Sequence, residues 1–303
     1  MEARPYILTK ANMMIRRIIA PMLLIAMLTI TISGDQSRPA PRPEVKPTYQ
    51  VYAISYGVIP DFHIASLVAG ADKSRKMDIQ MMVWLLKGAG GRNILVDSGF
   101  HREKYLKQWT VKDYIKPSEA VGKLGLKPTQ ITDVIVTHMH WDHAGGVDLF
   151  PAAKVWIQKD EYNYYVSDPD SPDKKRSGVD PDDVAVLAKI AGSGDRLKLV
   201  DGDAKEPIRG IVFYTGGRHT YASQYVGVNT RAGTVVVASD NLYLYENLEK
   251  HAAIASTFDS ASNLKAQDRM KQIASNPRLI VPGHDPEVFV RFPNPGKGVA
   301  KIE

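Results

Sequence analysis

A ten-residue stretch near the middle of the chain holds most of the residues that could do chemistry. It reads THMHWDHAGG at positions 137–146 and places three histidines and one aspartate within six residues. Residues two apart on an extended segment point to the same side, so His138 and His140 can share one metal ion. Asp142 and His143 can face a second point just past the turn. Imidazole with carboxylate is a ligand set typical of Zn²⁺ and similar divalent ions, and the stretch therefore predicts a metal site.

The elements that must position these ligands are predicted strands. The apolar run 134–136 predicts a buried strand within 133–137 that ends where the histidines begin. Three later strands are also followed by a possible ligand, and they are predicted at 211–215, 234–238 and 278–281. The residues that follow them are, in chain order, His219, Asp240 and His284. Singly, each is more often a turn residue or a helix cap; together they predict one site assembled from several loops.

Strand and helix patterns alternate from about residue 49 to the end, which predicts an α/β fold with two sheets covered by helices. The other predicted strands are 51–58, 77–86, 93–96, 154–158, 197–200 and 225–229. The predicted helices are 104–109, 117–124, 160–166 with Asp160 as its cap, 184–190 and 261–274. A turn is predicted at Pro60 and Asp61, and a polar, proline-containing surface loop is predicted over 167–183.

The bulk composition excludes several classes of function. There is no cysteine among the 303 residues, so disulfides, thiolate nucleophiles and cysteine-based zinc sites are excluded. The net charge is +6, but Arg4, Lys10, Arg16 and Arg17 against Glu2 give a surplus of three in the first 33 residues. The rest of the chain has no dense run of Lys and Arg, so we expect no nucleic-acid partner.

Residues 1–33 have the pattern of an export signal peptide. Basic residues precede the apolar segment 18–32, and small residues follow it. A permanent membrane span needs about 20 apolar residues, and this segment is shorter. We therefore expect an exported protein, periplasmic or secreted. An uncleaved N-terminal anchor is the alternative, and it would be the one association with a membrane. Residues 34–48 are predicted to be a proline-rich linker, and the folded domain is predicted to occupy 49–303.

The motifs together resemble those of the metallo-β-lactamase superfamily, over most of residues 50–290. They are LVDSG with Asp97, HMHWDH at 138–143, GGRHT with His219, ASDNLY with Asp240, and VPGHD with His284. The resemblance implies an αββα sandwich with the metals at an edge shared by its two sheets. It implies one metal held by His138, His140 and His219, a second held by Asp142, His143 and His284, and Asp240 between them. Both ions are expected to be divalent, with zinc favoured, and Asp97 is expected to orient the ligand turns.

The expected reaction is hydrolysis, because two divalent ions about 3.5–4 Å apart can activate a bridging hydroxide and polarise a substrate. Tyr243 lies three residues after Asp240, a spacing that resembles the quorum-quenching N-acyl homoserine lactonases. Within that resemblance, the Tyr243 hydroxyl would donate to the oxygen that develops charge, and Asp142 would both bind metal and transfer the proton. The alternative for Tyr243 is an aromatic ring packed over the sheet edge. The expected substrate is a small lactone, most of all an N-acyl homoserine lactone.

Other functions share parts of this pattern. Zinc β-lactamases of this fold generally lack an aspartate equivalent to Asp240. A thioesterase of glyoxalase II type uses the same ligands, but it would need a basic helical region after His284, where about twenty residues remain. A nuclease would need a basic arm or an added domain. A binding protein that kept the metals without catalysis is the alternative from a different class.

The substrate pocket is predicted to draw on residues 62–70, 141–150 and 160–166. His63 is a candidate for substrate contact, whereas His101 and His251 are predicted to be surface residues. A homodimer is compatible with the sequence.

Overall fold

Two β-sheets pack face to face, and helices cover both outer faces. The computed structural model describes residues 46–168 and 176–302. The predicted signal peptide (1–33) and most of the predicted linker (34–48) lie outside the described residues and stay predictions. None of the helices in residues 46–168 and 176–302 combines the length and the apolar character of a membrane span.

The first sheet has seven strands. They are β1 Gln50–His63, β2 Lys76–Lys87, β3 Asn93–Val96, β4 Asp133–Ile135, β5 Lys154–Gln158, β6 Leu197–Val200 and β12 Val299–Ile302. Their order across the sheet is β12-β1-β2-β3-β4-β5-β6. Neighbours from β12 to β3 are antiparallel, whereas neighbours from β3 to β6 are parallel. The parallel strands end at one edge, and the turns after β3, β4 and β5 therefore meet there.

The second sheet has five strands. They are β7 Lys205–Ile208, β8 Ile211–Thr215, β9 Gln224–Thr230, β10 Gly233–Ser239 and β11 Ile280–Pro282. Their order is β11-β10-β9-β8-β7, and only the β10–β11 pair is parallel within this sheet. Because β10 and β11 run the same way, Asp240 and His284 leave the sheet at the same edge.

The helices are short except for two. They are α1 Glu103–Gln108, α2 Pro117–Ala120, α3 Trp141–Ala144, α4 Lys159–Tyr162, α5 Pro181–Gly192, α6 Tyr245–Glu249, α7 Ser260–Ile273 and α8 Val288–Arg291. Both long helices begin with an aspartate cap: Asp180 accepts from the backbone N–H of Asp182, and Asp259 accepts from that of Ser262. Such caps satisfy backbone donors that have no partner within the helix.

Three apolar clusters hold the layers together. The middle cluster joins the inner faces of the two sheets and contains Trp84 and Phe213, both fully buried. A second cluster joins the outer face of the first sheet to its helices, with Leu187 of α5 among its members. A third joins the outer face of the second sheet to α7 through Met270. The layers are therefore helix, sheet, sheet and helix, and the predicted αββα sandwich is confirmed.

The predicted turn at Pro60 and Asp61 is wrong, because β1 continues through both residues to His63. The pairing with β2 shifts between Ile59 and Phe62, and Asp61 adopts a left-handed conformation with φ 53°. One extra residue in β1 is therefore accommodated as a bulge, where proline is tolerated in a strand.

Several boundaries also differ from prediction. Helix α4 begins one residue earlier than predicted, so Asp160 lies in its first turn and does not cap it. The predicted helix 117–124 is α2 followed by a 3-10 turn. Helix α5 starts at Pro181, inside the predicted loop 167–183, of which residues 169–175 lie outside the described residues. The short elements α3, α8, β7 and β12 were not predicted.

Candidate metal centre

Asp97 joins the turns that carry the candidate ligands. It is fully buried at the end of β3 and has a left-handed backbone, with φ 61°. Its carboxylate accepts hydrogen bonds from the Thr137 backbone N–H at 2.8 Å and from the Ser239 hydroxyl at 2.8 Å. It also accepts from Nδ1 of His143 at 2.8 Å. One side chain thus links the ends of β3, β4 and β10, as expected for a residue that orients the ligand turns.

The structure brings all seven predicted ligands together in two adjoining groups. The first group is His138, His140, His219 and Asp240, and the second is Asp142, His143 and His284. Within each group the candidate ligand atoms lie within 4.8 Å of one another. Four of these residues follow strands of the first sheet and three follow strands of the second sheet. The centre therefore lies where the two sheets meet.

The three histidines of the first group point nitrogen atoms at a common point. Nδ1 of His140 lies 3.1 Å from Nε2 of His138 and 2.9 Å from Nε2 of His219. Ligands at the Zn–N distance of 2.0–2.1 Å around a tetrahedral ion lie about 3.3 Å apart. The observed spacing is close to that value, so the trio fits a tetrahedral cation.

Asp240 lies between the two groups, and each of its carboxylate oxygens faces one of them. Oδ2 lies 3.7 Å from Nε2 of His138 and 3.4 Å from Nε2 of His219. Oδ1 lies 3.2 Å from Nε2 of His143 and 3.0 Å from Nε2 of His284. This arrangement allows one carboxylate to serve two cations.

Asp142 completes the second group. Its Oδ2 lies 3.5 Å from Nε2 of His143 and 3.7 Å from Nε2 of His284. The Asp142 side chain is 13% exposed, whereas that of His143 is 2% exposed. Asp142 is therefore the ligand of this pair that substrate could reach.

Hydrogen bonds at the far side of the rings set which nitrogen faces the centre. Nδ1 of His219 contacts the carbonyl of Ser256 at 2.8 Å, and Nδ1 of His284 contacts the carbonyl of Gln80 at 2.9 Å. Because a carbonyl can only accept, both Nδ1 atoms carry a proton, and Nε2 is the atom of each ring that faces the centre and can bind a cation. His143 is oriented in the same way by Asp97, and His140 alone presents Nδ1.

Two atoms at the middle of the centre show that the site suits a cation. Nε2 of His143 and Oδ1 of Asp240 are buried 3.2 Å apart, and neither meets the geometry of a hydrogen bond with any of the described residues. Leaving such groups unpaired in a protein interior is costly. A divalent ion would satisfy a nitrogen lone pair and a carboxylate oxygen at once. The donor set of five imidazoles and two carboxylates therefore fits zinc-type metals.

The electrostatics of the first group favour neutral ligands. Burial lowers the pKa of His138 well below its usual range, and the neighbouring imidazoles add to this. Burial likewise lowers the pKa of His140 to about 3 and lowers that of His219. Neutral imidazole is the form that binds metal, so these rings are ready to coordinate at neutral pH.

In the second group, the negative charge of nearby carboxylates favours protonated imidazoles. Burial opposes a charge on His143, but Asp240, Asp142 and Asp97 raise its pKa well above the usual range. The pKa of His284 is also raised, by Asp240 and Asp142, against the effect of burial. A bound cation would take the place of these protons.

Tyr243 lies beside the centre. Its hydroxyl is 3.3 Å from Nδ1 of His219 and forms a hydrogen bond with the Ser256 side chain. Burial, together with Asp240 and Asp142, raises the pKa of the phenol well above its usual value. The phenol therefore keeps its proton at neutral pH and can donate a hydrogen bond.

A cavity of about 230 Å³ opens onto this centre. The residues that line it are Ile59, Phe62, Ser66, Leu67, Ile79, Trp109, His140, Trp141, Asp142, Asp240, Tyr243, Ser256 and His284. The predicted segments 62–70 and 141–150 therefore contribute, whereas 160–166 contributes only Tyr165, to a smaller neighbouring cavity. Ile59, Ile79, Trp109 and Ser256 were not predicted, because their side chains reach the site only through tertiary packing.

The remaining histidines lie away from the centre. His63 is exposed, contacts the carbonyl of Lys73 at 3.2 Å and lines an outer cavity that adjoins the one at the centre, so it stays a candidate for substrate contact. His101 pairs with Asp148, and His251 pairs with Asp268 near the surface, as predicted for both.

Comparison with known proteins agrees with this geometry. A family model described as the metallo-beta-lactamase superfamily matches residues 79–284, and the chain belongs to that superfamily. The chain is 26% identical over 227 residues to an N-acyl homoserine lactonase from Bacillus cereus, covering 70% of this chain and 83% of the relative. It is 24% identical over 182 residues to the N-acyl homoserine lactonase AttM from Agrobacterium fabrum, covering 57% of this chain and 65% of that protein. A solved quorum-quenching N-acyl homoserine lactone lactonase superposes with a TM-score of 0.63 at 22% identity, covering 80% of this chain and 95% of that one.

The chain is thus a hydrolase of the metallo-β-lactamase fold, related to N-acyl homoserine lactonases at about 26% identity.

Proposed function

We propose that this protein opens the ring of lactones, most of all N-acyl homoserine lactones, at two divalent metal ions. His138, His140 and His219 would hold one ion, Asp142, His143 and His284 would hold the other, and Asp240 would contact both. The position of Asp240 carries this proposal, because its two oxygens face different groups of histidines. Zinc is the expected metal, since the ligands are imidazole and carboxylate.

Two bound ions would supply Lewis acidity and would lower the pKa of water towards neutrality. The protein's own residues carry the remaining steps. Asp142 faces the cavity and would accept a proton from the attacking water, then return it to the ring oxygen as the C–O bond of the ester breaks. The Tyr243 hydroxyl would donate a hydrogen bond to the oxygen that develops negative charge. The product would be the ring-opened hydroxy acid.

Apolar side chains along one wall of the cavity support a substrate with an acyl chain. Ile59, Phe62, Ser66 and Trp109 line both the cavity at the metal centre and a second, outer cavity of about 670 Å³. The two cavities therefore adjoin along one wall, and a chain could run from the centre towards the surface. Each buried methylene contributes about 0.8 kcal/mol, so such a groove favours longer acyl groups.

A panel of substrates tests the proposal. The purified protein is incubated with N-acyl homoserine lactones of several chain lengths, a simple lactone, a glutathione thioester and the chromogenic β-lactam nitrocefin, each with and without a metal chelator. We expect the acyl homoserine lactones to be hydrolysed fastest, with loss of activity in chelator and recovery on adding Zn²⁺. Preference for the thioester or the β-lactam would replace the proposed function by one of those alternatives.

We also propose that the protein is exported, on the basis of the basic and apolar pattern of residues 1–33. Sequencing the N-terminus of the protein recovered from extracellular and periplasmic fractions tests this. A mature chain that begins after residue 33 supports cleavage, whereas an intact N-terminus in the membrane fraction supports the uncleaved anchor.

A further inference from the structure

Glu161 is a buried carboxylate that the proposed reaction does not use. It lies in α4, directly after β5, and is fully buried. Moving a carboxylate into a protein interior costs several kcal/mol unless hydrogen bonds replace its water. Three donors do so here: the Met139 backbone N–H at 3.0 Å, the Thr220 hydroxyl at 2.6 Å and the Ala222 backbone N–H at 2.7 Å.

All three donors belong to the segments that carry the first group of candidate ligands. Met139 lies between His138 and His140 on the turn after β4, in the first sheet. Thr220 and Ala222 follow His219 on the turn after β8, in the second sheet. Oε1 contacts both segments, while Oε2 contacts only the second one. One side chain thus spans the two turns whose histidines must converge.

We propose that Glu161 is a positioning residue that sets the distance between the His138–His140 turn and the His219 turn, and thereby the affinity of the first metal position. The inference rests on the proposed metal binding. Glu161 itself contacts neither metal nor substrate in this role. Partners of this kind behind metal ligands typically change metal affinity by 10–100-fold when they are lost.

Another contact keeps the two sheets joined when Glu161 is changed. The backbone N–H of Gln224 donates to the Thr137 carbonyl at 2.9 Å, and its side-chain amide donates to the Val136 carbonyl at 2.7 Å. Thr137 directly precedes His138, and Gln224 lies two residues after Ala222, so these bonds join the same two segments without Glu161. They can keep the sheets paired, whereas Glu161 contacts the residues between and after the histidines, and the two roles can be separated by experiment.

The decisive variant is Glu161→Gln, which keeps the size of the side chain but replaces one acceptor oxygen with an amide donor. Either Ala222 or Met139 then faces a donor instead of an acceptor. The measurement is a titration of metal-free protein with Zn²⁺ against a chromophoric chelator. We expect one of two zinc equivalents to weaken by 10–100-fold and the other to change by less than about threefold. Asp133→Asn is the control, because Asp133 is also buried and accepts hydrogen bonds, from Trp156 and Thr132.

Thr220→Val probes the same contact from the other side. It removes one donor while Glu161 stays, and Thr230→Val, at a buried hydroxyl bonded to the Gly233 carbonyl, is its control. We expect a smaller loss of zinc affinity than in Glu161→Gln, and a double variant that is less than additive, as residues in one network should be. This variant also decides the matter if Glu161→Gln does not fold.

The outcomes separate the two proposals. If the unaltered protein does not bind two zinc ions, the proposed function fails first. If it binds two and both Glu161→Gln and Thr220→Val bind them with unchanged affinity, the positioning role is wrong. A third outcome is that zinc affinity falls in Glu161→Gln no more than it does in an Asp133→Asn control with the same loss of melting temperature of the metal-free protein. In that case Glu161 only supports the fold, and the inference is again overturned.

Discussion

Replacing Asp240 by asparagine tests the arrangement on which the proposed reaction depends. The carboxylate presents one oxygen to His143 and His284, at 3.2 and 3.0 Å, and the other to His138 and His219, at 3.7 and 3.4 Å. An amide has one oxygen and one NH₂ group, so only one group of histidines keeps an acceptor. The other group receives hydrogen atoms aimed at the cation position. We therefore expect bound metal to fall from about two equivalents to about one.

The size of the effect follows from the role of the lost atom. Residues that only support metal ligands change affinity by 10–100-fold, so loss of a direct ligand oxygen should weaken the affected position by at least about 100-fold, or about 2.7 kcal/mol. The formal charge of the seven-ligand set also changes from −2 to −1, while the charge of each cation is unchanged, so the ligands attract the cations less strongly. Turnover of the lactone should decrease at least as much as the occupancy of the weaker position.

Elemental analysis after dialysis and a zinc titration measure the two quantities. Asp133→Asn serves again as a buried aspartate outside the centre and should keep both equivalents. Retention of two tightly bound ions and most of the turnover in Asp240→Asn would refute the bridging position of Asp240.

Four further outcomes are expected. Asp142→Asn should lower turnover by at least about 100-fold while the metal-free protein unfolds at an unchanged temperature, and an active variant would exclude proton transfer by this side chain. Tyr243→Phe should lower turnover of lactones by about 10–100-fold with little change in bound metal, and an unchanged rate would leave only a packing role for the ring. Trp109→Ala should reduce the gain of about fourfold in kcat/KM per added acyl methylene, measured from butanoyl to decanoyl substrates, and an unchanged slope would remove the outer cavity from the substrate path. Glu246→Gln should lower the unfolding free energy at pH 7, because hydrogen bonds from Arg75 and Lys250 lower the pKa of Glu246 to about 2. Both cations are exposed to solvent, which limits the expected loss to about 1 kcal/mol. A carboxyl with a lowered pKa stabilises the fold at pH values above its unfolded pKa, here near 4.5. The difference in unfolding free energy between the unaltered protein and Glu246→Gln, measured by urea denaturation of the metal-free proteins, should therefore disappear as the pH falls from 4.5 towards 2. A difference that persists at pH 2 would contradict this.

The convergence of the candidate ligands could be predicted because their residue types and spacing are visible in the sequence itself. Two imidazoles that lie two residues apart, directly after an apolar run, indicate a shared cation at the end of a strand. Strand β4 does end at Ile135, shortly before His138. His219, Asp240 and His284 each follow a buried strand at the same edge. The αββα order could likewise be inferred, since apolar runs and amphipathic segments alternate along the chain.

The parts that could not be predicted depend on contacts between distant segments. Glu161 looks like an ordinary helix residue in the sequence, and only the approach of Thr220, 59 positions away, reveals its three hydrogen bonds. Trp109, directly after α1, lines the cavity because its ring packs against those of Phe62 and Trp141, which are distant in the sequence. The edge strand β7 contains Pro207 and a single apolar residue, which hides its strand pattern, and β12 forms by pairing with β1 from the other end of the domain.

The division of the ligands between two sheets has a consequence for how the protein selects its ion. An unfolded chain retains only the short His138–His143 motif as a local chelator, whereas the other three ligands are at least 76 residues away along the chain. Free metal stabilises the native state only by the difference between its affinity for the folded centre and its affinity for that motif. Excess copper, which outranks zinc for nitrogen ligands, would therefore compete most effectively before the sheets dock. Once they have docked, the fixed spacing of the seven candidate ligands, rather than intrinsic metal preference, would decide which cation is held.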